Sequence, residues 1–316
     1  MEAHEEIEKI EAIFPSYIDS TMLEAFKSCP RKFYNEFVLG LRLSYKNVHL
    51  HAGGAFAAAL QAFYNSYYQT LSTEDAKLSA LRQFLKEWGP EFEAPEKSSK
   101  TLVNMWAAVI SYVENYPPEA DETEPFYIND QPGIETTFAI PLLPEDGFSL
   151  HPVSKEPLFY CGRLDFIGTK NGYLRPRDDK TTQYFRSNWH EEWDLRSQFL
   201  GYLWALKKYN YNVKEMTIRG IAILKNEIQH QEIDVLYPKH LIDRWYHQMR
   251  RDVNRAVACW EEGYFDYNLG YACTQFSGCI FRDLCKAKHP EGYYDNYIVN
   301  RWNPLADKND ENNNGE

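Results

Sequence analysis

The sequence predicts an α/β fold: a sheet core flanked by helices, with a helical N-terminal insertion and a C-terminal helical closure that carries cysteines. Three observations predict it. Apolar and aromatic residues recur with helical spacing over 51–70, 74–88 and 98–115. From 133 the character changes: Gly133 to Ile140, the stretches on either side of Asn171-Gly172, and 214–224 and 227–235 read as strands. Helical spacing returns over 190–208 and 238–263.

Taken in order, a short helix begins near Ser20, where Ser20-Thr21-Met22-Leu23-Glu24 has the pattern of a capping box, and it ends around Cys29-Pro30. Pro and acidic clusters at 117–125 break the helical region, and a Pro-rich loop follows the strand at 133–140. In the helix at 190–208, Leu195, Phe199, Tyr202 and Leu206 fall in step. The tail from Asp307 to Glu316 is polar, offers no core residue and reads as disordered. No internal repeat is visible.

At 316 residues the chain can bury a full core, and its length fits one large domain or two. Aromatic residues are abundant, with 23 Tyr, 18 Phe and 8 Trp; most read as core and surface residues, and stacking on single-stranded bases is the functional alternative. The net charge of −12 argues against a simple electrostatic nucleic-acid binder. Five Glu and one Lys in residues 1–12, and four acids and one Lys in 305–316, account for much of it. That leaves −5 for residues 13–304, so a local basic groove remains open. No run of eighteen apolar residues occurs, and the Glu-rich start is unlike a signal peptide, so a cytoplasmic protein without a membrane partner is expected. In that compartment the six cysteines read as ligands or core residues rather than disulfides.

The hairpin around Asn171-Gly172 carries the chemistry. Asn-Gly is the strongest two-residue hairpin signal, because a type I′ turn needs positive φ at both central positions. Lys170 then faces Tyr173, and Asp165 lies opposite Asp178. Opposed carboxylates, with Cβ atoms roughly 5 Å apart, repel one another. A divalent cation between them removes that penalty. Side chains alternate along a strand, so Lys180 shares the face of Asp178 while Asp179 points away. Two acids and an amine on one face suit phosphoryl transfer. Asp178-Asp179-Lys180 alone would read as a solvated strand end; the opposed Asp165 favours a metal site. Pro176 removes a ladder donor and marks an edge or bulge, which would shift this register by one.

Cys273, Cys279 and Cys285 form a C-x5-C-x5-C run, and Cys29 lies near the other end of the chain. Together they would fit a four-cysteine site. Structural zinc sites usually use two tight pairs, which are absent here, and buried free thiols are the competing reading. Cys161 and Cys259 read as core residues.

Six ordered pieces carry a family resemblance. They are the segment Thr21 to Tyr34 with Cys29, Gly53-Gly54-Ala55-Phe56, Glu135, the pair Gly162-Arg163-Leu164-Asp165 and Asp178-Asp179-Lys180-Thr181-Thr182, Gln198 with Tyr202, and the three late cysteines. The ordered combination resembles the RecB-type branch of the PD-(D/E)XK nuclease superfamily, with relatives carrying an iron–sulfur cluster such as the AddB nuclease domain and CRISPR-associated exonucleases. The match covers roughly residues 17–290.

The resemblance implies a restriction-endonuclease-like mixed sheet and one nuclease domain over 17–304, between an acidic extension at 1–16 and the tail at 305–316. Within it the helical insertion spans about 50–120, the catalytic core about 130–235 and the cluster-closing segment about 265–290. Asp165 and Asp178, with the main-chain carbonyl of Asp179, would hold Mg²⁺ or Mn²⁺, and Lys180 would position the attacking hydroxide. Gln198 and Tyr202 would reach the DNA strand or the site, and Glu135 would orient the lysine or a water. Cys29, Cys273, Cys279 and Cys285 would hold a 4Fe–4S cluster, favoured over zinc, that clamps the helical ends around the core.

The implied activity is a DNA exonuclease acting on single strands or free ends in recombination, repair or CRISPR-type processing. No helicase motif is present, so unwinding would need a helicase or CRISPR-type partner. The alternative is a DNA-binding or scaffold protein that keeps the fold and cluster but has lost cutting. One departure favours it: the family pattern G-x-x-x-H places its histidine at Ala57, or at Ala58 counting from Gly54. His49 and His51 are the neighbouring imidazoles.

Overall fold

The computed structural model describes residues 10–44, 47–275 and 278–306. The expected tail from Asp307 and most of the acidic extension lie outside the described residues. One mixed sheet organises the chain. Its strands are β1 (Tyr17–Ile18), β2 (Glu124–Pro125), β3 (Ile134–Leu142), β4 (Leu158–Lys170), β5 (Tyr173–Thr182), β6 (Glu215–Ile223) and β7 (Ile228–Leu236). The order is β1-β4-β5-β6-β7, with β2 and β3 also paired to β4. β1 runs parallel to β4 and β5 parallel to β6; the β4–β5 and β6–β7 pairs are antiparallel. The sheet is flanked by α1 (Ser20–Ser28), α2 (Val48–Thr70), α3 (Thr73–Trp88), α4 (Leu102–Asn115), α5 (Ser197–Lys208) and α6 (Lys239–Glu261).

Two compact units share this chain. One comprises residues up to 45, 138–162 and from 243 onward; the other comprises 46–137 and 163–242. In the second, Phe56 and Phe63 of α2, Phe84 and Trp88 of α3, and Met105 and Val109 of α4 are fully buried with Phe166 of β4 and Ile221 and Ile223 of β6. Apolar positions three and four apart on three successive helices thus cover one face of the sheet.

In the first unit, α1 is capped by Asp19, whose carboxylate accepts the Met22 N–H at 2.8 Å. The cap is therefore one residue earlier than the Ser20 pattern indicates. The same carboxylate accepts the Trp302 indole N–H at 2.8 Å, which favours an acid over a hydroxyl there. Leu41–Leu43 pairs antiparallel with Tyr297–Val299, and the Arg301 guanidinium donates to the carbonyls of Val38 and Glu11.

The β4–β5 register runs from Lys170↔Tyr173 to Phe166↔Arg177, with Asn171 and Gly172 at φ of 54° and 78°. Pro176 leaves this register intact. Pairing of β5 with β6 starts one residue later, at Arg177↔Thr217, so the missing N–H breaks no bond on that side. The helix expected over 190–208 divides instead. Trp189–Trp193 forms a 3₁₀ turn and α5 starts only at Ser197, leaving Leu195 outside the helix and 72% exposed. The turn buries Trp189 and Trp193 edge to face at 5.5 Å, and this aromatic packing overrides the helical period.

Gly220 lies abreast of Lys180 in the β5–β6 ladder, and a Cβ there would stand 2.5 Å from the Trp189 ring and 2.7 Å from Phe185. Gly220→Ala is therefore expected to destabilise the protein by about 1–3 kcal/mol, the usual cost of overpacking. Urea unfolding would measure it, and an unchanged midpoint would contradict this packing.

Candidate active site

Strand alternation sorts the charges of β5 onto two faces. Asp178 and Lys180 occupy one; Arg177 and Asp179 occupy the other. Asp178 is fully buried at 0% exposure, and its described partner is the Lys180 ammonium in an ion pair. Beyond that contact, neither of its oxygens has a described hydrogen-bond partner. Burial, and secondly the neighbouring Asp165 charge, push its pKa up to about 7 against the opposing pull of Lys180. Asp165 is the next residue after the last paired position of β4, and its Oδ2 accepts the Asp179 N–H at 3.1 Å. Burial alone would lower the Lys180 pKa, but Asp178 and Asp165 outweigh it and raise it, so the amine stays charged. Its Nζ sits 5.8 Å from the Phe199 ring centroid of α5.

These groups fit a divalent cation. A buried carboxylate with a single ammonium partner still carries a desolvation cost, and a hard cation with oxygen ligands would relieve it. Among the described residues, no group of three or more His, Cys, Asp or Glu side chains is placed to hold a metal ion. Asp165 and Asp178 provide two carboxylates, and the residues at the family's histidine position are Ala57 and Ala58, which have no ligand atom. His51 does not take that place: its Nε2 is bonded to the Trp88 carbonyl at 2.9 Å and its ring lies 3.7 Å from that of Phe92. His49 is exposed.

The accessory residues meet at β4. Tyr202 of α5 donates to the Arg163 carbonyl at 2.6 Å and accepts from Gln198 at 2.8 Å. Glu135, at a positive φ of 48°, places its carboxylate 3.9 Å from the Arg163 guanidinium. These side chains thus engage one another around Arg163.

The opposite face of β5 holds residues the motifs did not reveal. Arg177 pairs with Asp121 at 3.4 Å and Asp179 at 3.5 Å, and Arg219 pairs with Asp121 at 2.8 Å and with Glu232. Tyr112 of α4 donates to Asp179 at 2.8 Å. Lys100, only 3% exposed, donates to Thr181 Oγ1 at 2.9 Å, and burial lowers its pKa to about 8. The one sequence signal was Arg177 itself, a charge at a position that alternation turns toward the helices.

In the first unit, Cys29, Cys273, Cys279 and Cys285 line one small cavity with Lys32, Asn268 and Phe281. The Asn268 main-chain N–H donates to Cys29 Sγ at 3.4 Å. Burial raises the Cys279 pKa, and burial with the neighbouring thiols raises that of Cys285 to about 11. Cys161 and Cys259 are buried in the core, and all six cysteines are free.

A family model of the PD-(D/E)XK nuclease superfamily matches residues 20–286. The chain belongs to that superfamily, and its mixed sheet flanked by helices agrees with it. A search of curated proteins returned no match. Among solved structures, the chain is similar to an inferred exonuclease from Eubacterium rectale, at 15% identity and a TM-score of 0.45, covering 82% of this chain and 87% of that one. It is also similar to SSO0001, at 13% identity and a TM-score of 0.25, covering 72% and 82%. Likenesses at this level carry no argument about activity. No helix among the described residues is long and apolar enough to cross a membrane.

The buried acid predicts a pH dependence. Its folded pKa of about 7 lies above the ordinary 3.8, so its contribution to stability is full below about pH 4 and is lost as pH rises through about 7. In EDTA, the wild-type Tm should fall more between pH 5 and pH 8 than that of Asp178→Asn. Equal falls would contradict the burial.

Proposed function

We propose that the chain is a metal-dependent deoxyribonuclease, an exonuclease acting on single strands or DNA ends. The observation that carries the reading is the fully buried Asp178, whose described side-chain partner is Lys180, beside Asp165 in a chain of the nuclease superfamily. Asp165 and Asp178, with the Asp179 carbonyl, would hold Mg²⁺ or Mn²⁺, which when bound lowers the pKa of a water and stabilises charge on the scissile phosphate. Lys180 retains its proton, orients the attacking water and offsets charge developing on the phosphoryl oxygens. Tyr202 and Gln198 hold α5 against β4, which presents the Lys180 face.

The four cysteines support an iron–sulfur cluster in the first unit. They share one cavity, and the sequence lacks the two tight cysteine pairs usual in structural zinc sites, which favours iron–sulfur over zinc. The cluster would tie Cys29 to the 273–285 segment. A second reading, a DNA-binding scaffold that no longer cuts, is favoured by Ala57 and Ala58 where the family has a metal-binding histidine. Duplex substrates would require a helicase or CRISPR-type partner, and recombination, repair or CRISPR-type processing suits an end-directed nuclease.

Protein purified anaerobically and incubated with labelled linear and circular DNA in Mg²⁺ or Mn²⁺ tests the activity. Wild type should degrade linear strands, and Asp178→Ala or Lys180→Ala should lower the rate by at least about a hundredfold. DNA binding without cleavage of any substrate would establish the scaffold reading instead. The cluster is tested separately. The preparation should be brown with charge-transfer absorption that Cys279→Ala abolishes; a colourless protein containing stoichiometric zinc would overturn it.

A further inference from the structure

We infer that the Asp179 side chain is the anchor of the metal site: held by Tyr112 and Arg177 on the far face of β5, it sets the peptide that presents Asp178 and meets Asp165. This rests on the reading of Asp165 and Asp178 as metal ligands. The Asp179 main chain faces the site, with its N–H bonded to Asp165 Oδ2 at 3.1 Å. Its side chain leaves in the opposite direction, accepts the Tyr112 hydroxyl at 2.8 Å and lies 3.5 Å from Arg177 Nε. Arg219 is its partner in the β5–β6 ladder. A rotation of this peptide would break the Asp165 hydrogen bond and turn the adjacent Asp178.

The surroundings leave that carboxylate little freedom. The Arg177 guanidinium is wedged between aromatic rings, 4.2 Å from the Phe166 centroid and 4.9 Å from that of Tyr64. Asp121 accepts from both arginines and offsets their mutual repulsion. Tyr112 is itself held by Tyr64, hydroxyl to hydroxyl at 3.0 Å. Buried ion clusters are an inefficient source of stability compared with apolar packing. Their value is in geometry: residues outside a metal's ligands that hold those ligands in place typically change metal affinity by tenfold or more when removed. Tyr112 comes from the helical insertion, so the insertion acts as a positioning element for the catalytic strand.

The test uses the full chain with Tyr112→Phe and Asp179→Asn, both near-isosteric. Mn²⁺ affinity is measured by calorimetry without DNA, alongside amide exchange of peptides from β5 and, as control, β7. Tyr112→Phe should weaken Mn²⁺ binding about tenfold and speed exchange of residues 177–182, with β7 unchanged and the Tm within a few degrees of wild type. Asp179→Asn, which keeps an acceptor for Tyr112 but loses the charge facing Arg177, should show the same direction of change. Wild-type affinity in both variants would overturn the inference, whether or not β5 exchange changes. If wild type itself binds no Mn²⁺, and Asp178→Ala matches it, the metal reading fails and takes this inference with it. That outcome is told apart because it appears in the wild type, before any far-face variant is compared.

Discussion

Removing a carboxylate from water to the middle of a sheet, and giving it one ammonium as its described partner, is costly. The arrangement around Asp178 is organised by that cost. Lys180 offsets part of the charge from the same face, while Asp165 adds to it, and the result is an acid held near neutrality in its affinity for protons. A cation that brings positive charge and accepts oxygen ligands would resolve the conflict. The site is destabilising by itself and is supported by the rest of the second unit.

That support comes from both faces of one strand. On the site face, α5 lies against β4 through Tyr202 and places the Phe199 ring beneath Lys180. On the other, the insertion brings Tyr112 of α4 and Lys100, just before that helix, to Asp179 and Thr181. A strand with ionic side chains on both faces is unusual, because each face of a central strand normally meets apolar helices. Here the alternation separates two sets: even positions carry Asp178 and Lys180, and odd positions carry Arg177 and Asp179 with their ion pair and the Tyr112 hydrogen bond.

In the first unit, hydrogen bonds join the N-terminal and C-terminal segments. The Leu41–Leu43 ribbon with Tyr297–Val299, the Arg301 contacts to two carbonyls and the Trp302–Asp19 hydrogen bond hold the C-terminal segment to the N-terminal one. A cluster on the four cysteines would add to an existing closure. Its binding energy would be available to fix the 273–285 segment rather than needed to assemble the unit.

Much of this was legible in residue order. The hairpin turn, its register and the placement of Asp165, Asp178 and Lys180 on one face follow from Asn171-Gly172 and a period of two, which are local rules. The order of strands and helices, and the family motifs, are likewise written in spacing. Three things were not. The division of 190–208 into a 3₁₀ turn and a helix depends on two tryptophans packing against each other, and on Trp189 packing against Gly220. The capping carboxylate of α1 is also bonded by Trp302, 283 residues away in sequence from Asp19. The far-face network joins Tyr112, Asp121, Arg177, Asp179 and Arg219 from four separate segments. Sequence by itself determined which residues share a face, because alternation is a property of the backbone. Only the tertiary structure decided which buried charges meet, because the low dielectric that makes such charges costly, and the partners that make them tolerable, exist only once distant segments have packed.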